Sequence, residues 1–136
     1  MPEQLQFHHI GIACRSIEKT KGFYLAMGYI DGPVVDDLVQ HVRVCFLEKE
    51  GAPRLELLEP LDDSSPVART LATVGVSPYH ICYQVQDIEA AIAELRRDRF
   101  LTVSGPVPAC AMADRRIAFM FKKDNGLLEL VESDFP

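Results

Sequence analysis

The sequence has no excess of basic residues, because its 14 Lys and Arg are outnumbered by 20 Asp and Glu, leaving a formal net charge of -6. A protein that follows nucleic-acid phosphates needs a basic stripe, so this balance argues against a nucleic-acid partner. Long apolar runs are also missing, and those present are strand-sized, which argues against a membrane span. Residues 1–7 contain neither the basic nor the apolar segment of an export signal. These absences predict a cytoplasmic protein without a membrane partner.

Closely spaced cysteine pairs are absent as well. Cys14, Cys45, Cys82 and Cys110 lie about 30 residues apart, without a CxxC pair. Zinc–thiolate sites normally use closer pairs, and secreted disulfide scaffolds are denser in cysteine. We therefore expect reduced, mostly buried thiols. The chain also lacks a low-complexity tract or a Pro/Ser-rich linker, so its 136 residues predict one domain spanning 1–136.

The sequence does contain an internal repeat. His9-Ile10 and His80-Ile81 each precede an Ile-Glu pair by the same interval. The segment RVCFLEKEGAPRLE, residues 43–56, matches RIAFMFKKDNGLLE, residues 116–129, without a gap. The two matches occur in the same order in each half, at offsets of 71 (80 − 9) and 73 (129 − 56) residues. This pattern indicates a tandem duplication.

Each half has the pattern of a strand, an amphipathic helix and three further strands. Ser16 and Asp87 are the expected helix N-caps, and Gly28 is expected to close the first helix. A connector helix is predicted to begin after Ser64-Ser65 and to end near Gly75. The predicted strands cover residues 7–13, 42–48, 55–59, 79–85, 117–122 and 127–132, with weaker ones near 34–35 and 102–103.

The expected fold class is therefore α+β, built from tandem βαβββ modules. Module 1 covers about residues 5–60, the connector covers 61–77, and module 2 covers about 78–133. Two such modules are expected to form an open eight-stranded cup with the helices outside.

A histidine near the start and a glutamate near the end of each module occupy repeated positions. They are His9 and Glu56 in module 1, and His80 and Glu129 in module 2. Strand alternation separates them from their aliphatic neighbours and turns them into the cup. A carboxylate within LELLE or LELVE is costly to bury unless it is paired or bound to a cation. Pseudo-twofold symmetry then predicts one divalent metal site. Alternatively, each Glu lies on a solvent face and each His is structural.

Several segments carry a family resemblance. HHIGIAC, RLELLEPLDDSSPVARTL, PYHICYQVQDIEAAIAEL and RRIAFMFKKDNGLLELVE resemble the vicinal oxygen chelate superfamily of glyoxalases and bleomycin-resistance-like proteins, and look most like its methylmalonyl-CoA epimerases. The resemblance implies a homodimeric isomerase or lyase in which His9, Glu56, His80 and Glu129 bind one Zn, Co, Ni or Mn ion. It further implies enolisation of a small substrate, such as a CoA or glutathione thioester. Glu129 is the expected base, with Glu56 as its symmetric partner.

Three other side chains are candidates for substrate binding. Arg43 and Arg116 occupy equivalent positions, and alternation is expected to turn both into the cup, where they would hold a carboxylate or phosphate. Gln40 is a candidate polar contact. The alternative for both arginines is an exposed strand end. His8 and His41 have no counterpart in the repeat and are expected to be structural or exposed.

Two departures from the epimerase pattern leave the substrate open. Residues 108–114, PACAMAD, lack the glycines that epimerases usually carry there, and Arg43 stands where some epimerases have a carboxylate base. A lactoylglutathione lyase would use the same ligand set. A ligand-sequestering binding protein usually lacks a complete metal set, and a non-haem iron dioxygenase normally uses two His and one Glu.

Overall fold

The computed structural model describes residues 5–133. Its helices and strands are β1 (Gln6–Ala13), α1 (Ile17–Ala26), β2 (Ile30–Asp37), β3 (Val42–Glu48), β4 (Leu55–Pro60), α2 (Pro66–Val74), β5 (Ser77–Val85), α3 (Ile88–Arg97), β6 (Leu101–Ala109), β7 (Arg115–Lys122) and β8 (Gly126–Glu132). The order βαβββ occurs twice, with α2 between the two copies. This confirms the predicted α+β class with tandem βαβββ modules.

The chain divides into two compact units that do not coincide with the sequence modules. The first unit is His9–Tyr79, and the second joins residues 5–8 to residues 80–133. The opening residues of β1 therefore belong to the unit that contains the second module. The expectation of one domain over the whole chain stays a prediction.

The first unit places its strands in the order β2-β3-β4-β1. Strands β1 and β4 pair in parallel, whereas β3 is antiparallel to both of its neighbours. Helix α1 begins after Ser16, whose side chain accepts a hydrogen bond from the Lys19 amide, and Gly28 follows it with φ 102°. The core on the helix side contains Ile12, Cys14, Ile17, Tyr29, Cys45, Leu47, Leu55 and Leu57.

The second unit repeats this arrangement with the order β5-β8-β7-β6. Strands β5 and β8 are parallel, and β7 is antiparallel to β6 and β8. Asp87 caps α3 by accepting from the Ala90 amide, as the sequence predicted. The buried core here contains Val85, Ile88, Ala91, Leu95, Ala118, Met120 and Leu130.

The weakly predicted strands, β2 and β6, are longer than expected. Each contains a Gly-Pro pair, Gly32-Pro33 or Gly105-Pro106, and each shifts register against its partner at that point. Proline cannot donate to a strand ladder, but an edge strand with a bulge tolerates it. The Gly-Pro pairs therefore interrupted the sequence pattern without preventing the strand.

The remaining expectations concern α2, the cysteines and membrane spans. Ser65 caps α2 and Gly75 ends it, as predicted. The four cysteines, all of which the structure describes, form no disulfide; Cys110 is exposed and the others are buried. No helix within residues 5–133 is long and apolar enough to cross a membrane.

Candidate active site

The first unit brings His9 and Glu56 together. Strand pairing places Glu56 opposite Gly11 on β1 and opposite Phe46 on β3. His9 lies two residues before Gly11, so both side chains project from the same face of the sheet. The Nε2 atom of His9 is 3.1 Å from Oε1 of Glu56, and both residues are buried. The Phe46 ring meets the His9 imidazole edge-on, with centroids 5.2 Å apart.

The second unit contains the same arrangement. Glu129 pairs with Cys82 on β5 and with Phe119 on β7, and His80 lies two residues before Cys82. The Nε2 atom of His80 is 2.9 Å from Oε1 of Glu129, and both residues are buried. Phe119 contacts His80 edge-on, again with centroids 5.2 Å apart. The sequence repeat thus has a direct geometric counterpart.

Burial decides between the two readings of these glutamates. Glu56 is 4% exposed and Glu129 is 2% exposed, so neither lies on a solvent face. Their neighbours Leu57 and Leu130 pack in the helix-side cores, which confirms that alternation separates the carboxylates from the leucines. A buried carboxylate requires a hydrogen-bonding or cationic partner, and each has an imidazole beside it.

Arg43 does not share the face of His9 and Glu56. It lies three residues before Phe46, so it projects from the opposite face of β3, together with Cys45 of the helix-side core. Its Nε atom is 2.8 Å from Asp36 Oδ1, and its Nη1 atom is 3.0 Å from Glu59 Oε2. The prediction that alternation turns Arg43 to the face of His9 and Glu56 was wrong. Arg43 and Phe46 are three residues apart on β3, so their side chains project from opposite faces of that strand.

The same prediction was wrong for Arg116. It lies three residues before Phe119 on β7, so it projects from the face opposite to Phe119 and Glu129. Its guanidinium contacts Glu89 of α3 at 2.6 Å and Glu132 of β8 at 3.1 Å. Hydrogen bonds from Arg116 lower the pKa of both carboxyls. The Arg116–Glu132 pair is the repeat equivalent of Arg43–Glu59, so the repeated arginines belong to ion pairs on the helix-bearing face.

Gln40 lies in the turn between β2 and β3. Its Nε2 donates to Asp37 Oδ2 at 2.6 Å, and the amides of Val39 and Gln40 donate to Asp37 Oδ1. The side chain therefore stabilises the turn, and a substrate contact for it stays a prediction. His41 has a side chain that is 51% exposed and lies 3.7 Å from Asp62, which agrees with the expectation of an exposed histidine.

The first unit also contains a cavity that the sequence did not indicate. It has a volume of about 670 Å³ and is lined by Gly28, Ile30, Asp31, Gly32, Phe46, Glu48, Lys49 and Glu50. Because Phe46 contacts His9, the cavity reaches the ring that covers the first His–Glu pair. Asp31 is paired with Lys21, and Glu48 with Arg54.

Arg115 is a candidate residue that the sequence reasoning missed. It lies four residues before Phe119, so alternation places it on the face of Phe119 and Glu129. Its Nε donates to the Met112 carbonyl at 3.2 Å, and Nη1 donates to the Glu132 carbonyl at 3.3 Å. Nη2 lies 3.4 Å from Nε2 of His8. The even spacing from Phe119 was a usable signal, but the repeat drew attention to Arg116 instead.

Two βαβββ modules, each with a buried His–Glu pair, have the architecture of the vicinal oxygen chelate fold. The sequence model of the Glyoxalase/Bleomycin resistance protein/Dioxygenase superfamily matches residues 8–119. The chain belongs to this superfamily.

Individual relatives show which members of the superfamily this chain is similar to. Human mitochondrial methylmalonyl-CoA epimerase is 30% identical over 132 residues, which cover 94% of this chain and 74% of the relative. The crystal structure of methylmalonyl-CoA epimerase from Mycobacterium tuberculosis aligns with a TM-score of 0.84 at 28% identity, over 97% of this chain and 91% of that one. A variant of the Streptomyces coelicolor epimerase in complex with 2-nitronate-propionyl-CoA aligns at 0.82 and 30% identity, over 97% and 99%. These findings confirm the resemblance to methylmalonyl-CoA epimerases.

Proposed function

We propose that the protein is a divalent-metal-dependent epimerase that enolises a small acyl-CoA thioester, as a methylmalonyl-CoA epimerase does. His9, Glu56, His80 and Glu129 jointly bind the metal ion in this proposal. The observation that carries it is the buried His–Glu pair, which recurs with the same atoms, the same phenylalanine contact and nearly the same distance in both units. The similarity to solved epimerases over almost the whole chain supports the same conclusion.

The four side chains suit a divalent cation. All are buried, and each offers one nitrogen or oxygen ligand atom. Two imidazoles and two carboxylates form a donor set that Zn, Co, Ni and Mn accept, and two carboxylates offset the charge of a divalent ion. Such an ion would supply Lewis acidity that stabilises negative charge on a substrate carbonyl oxygen.

The glutamates provide the proton transfers. The carboxylate of Glu129 removes the proton from the carbon beside the thioester carbonyl, and the electron pair of that C–H bond moves toward the carbonyl oxygen to give an enolate. Glu56, its symmetric partner, is protonated in this step and donates that proton to the same carbon from the other side, which inverts the configuration. Glu129 keeps the proton that it removed until this proton exchanges with solvent. The imidazole beside each carboxylate holds it in position, and the edge-on phenylalanine rings shield both pairs from solvent.

Two alternatives share parts of this site. A lactoylglutathione lyase would use the same four ligands on a glutathione hemithioacetal, and a binding protein would hold its ligand without turnover. The relatives named as epimerases favour the CoA thioester, and the complete His–Glu pairs favour an enzyme. A homodimer, which the resemblance implies, and a cytoplasmic location complete the proposal. Light scattering after gel filtration would test the homodimer.

Proton exchange tests the proposed reaction directly. The protein is loaded with Co(II) or Zn(II), its metal content is measured, and methylmalonyl-CoA is followed by proton NMR in deuterated water. We expect rapid loss of the C2 proton signal with the metal-loaded protein. Protein from which a chelator has removed the metal should show no such loss. Stoichiometric metal without exchange would contradict epimerase chemistry, and the same sample would then be tested with the hemithioacetal of glutathione and methylglyoxal.

A further inference from the structure

We infer that Arg115 binds an anionic group of the substrate and so fixes the orientation of the substrate at Glu129. This inference rests on the proposed function and adds a specificity-determining residue to it. The anionic group is a carboxylate or a phosphate, since both match the planar N–H donors of a guanidinium.

The position of Arg115 on β7 suits this role. Arg115, Ile117 and Phe119 project from one face of the strand, and Phe119 pairs with Glu129 on the neighbouring strand. Four residues of extended strand span about 13 Å, of which the long arginine side chain can cover part. Arg115 therefore suits a charged group of the substrate that lies several ångströms from the carbon that loses its proton.

The guanidinium of Arg115 is held in a defined orientation by groups of its own unit. They include the carbonyl oxygens of Met112 and Glu132 and the imidazole of His8. The residue is half-buried, so its charge lies in a less polar environment than that of an exposed arginine. An arginine fixed in this way loses little side-chain freedom when it binds an anion, which favours tight and directional recognition.

The backbone that leads into Arg115 adds to this orientation. The two preceding residues, Ala113 and Asp114, have φ values of 56° and 60°. Non-glycine residues adopt this left-handed region at a cost, and consecutive examples mark a turn that the surrounding structure enforces. The turn directs the chain from the 3-10 turn Cys110–Met112 into β7, and it brings the Met112 carbonyl within reach of Arg115.

Arg115 also breaks the internal repeat. Its equivalent in module 1 is Val42, which is buried and apolar. The His–Glu pairs and their phenylalanines are duplicated, so they present the same chemistry in both modules and do not distinguish one module from the other. The cavity of the first unit contains more carboxylates than cations in its lining, which disfavours an anion there. The cation on the second module therefore distinguishes the two ends of an asymmetric substrate.

Affinity measurements with the metal-loaded protein test this inference without requiring turnover. Titration calorimetry would compare wild-type protein with Arg115→Met, Arg115→Lys and a control, Arg97→Met, which removes an exposed arginine of α3. Malonyl-CoA carries both anionic groups, propionyl-CoA carries only the phosphates, and malonyl-pantetheine carries only the carboxylate. Unfolding temperature and metal content would verify that each variant is folded and loaded.

We expect Arg115→Met to weaken malonyl-CoA binding about tenfold or more, the loss typical of a charge-assisted hydrogen bond. Arg115→Lys should lose less affinity for malonyl-CoA, and Arg97→Met should bind it as tightly as wild type does. A matching loss with propionyl-CoA would identify a phosphate as the bound group, and a matching loss with malonyl-pantetheine would identify the carboxylate. Unchanged affinity of Arg115→Met for all three ligands, or no binding by wild type, would overturn the inference.

The same samples separate this inference from the proposed function. If affinity depends on Arg115 but wild type shows no C2 proton exchange, the inference stands and the epimerase reaction fails. If exchange proceeds and affinity ignores Arg115, the reaction stands and the inference fails.

Discussion

Glu129 and His80 lie 2.9 Å apart between Oε1 and Nε2, and their repeat equivalents, Glu56 and His9, lie 3.1 Å apart between the same atoms. The small difference indicates that the duplication preserved a geometry as well as residue types. Each pair is covered by a phenylalanine at 5.2 Å. Ordinary core packing does not require the same polar pair twice, which is why this relationship carries the proposed function.

Replacement of Glu129 by glutamine tests the role of its carboxylate as the base. The amide retains the shape of the side chain but cannot accept the proton, so we expect C2 proton exchange to fall at least about 100-fold. Exchange is measured by NMR on samples with a verified metal content, and Glu56→Gln is measured beside it. Full exchange by a metal-loaded Glu129→Gln protein would remove Glu129 from this role.

Metal removal should lower stability, because an ion that binds only the folded protein stabilises it by mass action. At a free metal concentration of about 100 times the dissociation constant, the gain is about 2.7 kcal/mol. We expect thermal unfolding to shift upward when Zn(II) is added to chelator-treated wild type, and His9→Gln to lose most of that shift. His41→Gln, which alters an exposed histidine, is the matched control and should retain it.

Ala113→Gly is expected to stabilise the protein. Ala113 has φ 56°, and glycine adopts this conformation without the steric cost of a Cβ atom. The expected gain in the free energy of unfolding is up to about 1 kcal/mol, reduced by the greater freedom of glycine in the unfolded chain. Urea unfolding measures it. Ala93→Gly, on an exposed position of α3, should lose about 1 kcal/mol instead. Destabilisation by both changes would contradict a strained turn.

The ion pairs of Arg116 predict a dependence of stability on pH. Arg116 lowers the pKa of Glu132 and Glu89 below their ordinary value of 4.5. A carboxyl whose pKa is lowered by folding stabilises the protein above its unfolded pKa, and this contribution is lost as pH falls through the folded pKa. Unfolding temperatures of wild type and Arg116→Met should therefore differ near pH 7 and converge on acidification below about pH 4. Arg97→Met should follow wild type, and a constant difference across this range would contradict the linkage.

The helix boundaries and the candidate ligands could be read from the sequence because they depend on local rules. Ser16, Ser65 and Asp87 cap helices through their own side chains, and Gly28 supplies a conformation that other residues avoid. The His–Glu positions followed from the duplication and from the period of a strand. These features can be predicted without knowing which residues distant in sequence pack against them.

The arginine that we propose to bind the anionic group of the substrate could not be assigned in this way. Alternation shows which residues of one strand share a face, but it does not show which of the two faces meets the helices. For β3 and β7 the structure provides this information, because Phe46 and Phe119 contact the histidines. The sequence therefore favoured Arg43 and Arg116, which are bound in ion pairs, over Arg115.

The sequence by itself determined the duplicated βαβββ architecture, the helix caps and the residue types of the two His–Glu pairs, because periodicity, capping and repetition are properties of the chain alone. Only the tertiary structure decided that these glutamates are buried, that β2 and β6 continue through their Gly-Pro bulges, and that Arg115 is the arginine on the glutamate-bearing face of its sheet. Those features depend on pairing and packing between segments far apart in sequence, which no local pattern specifies.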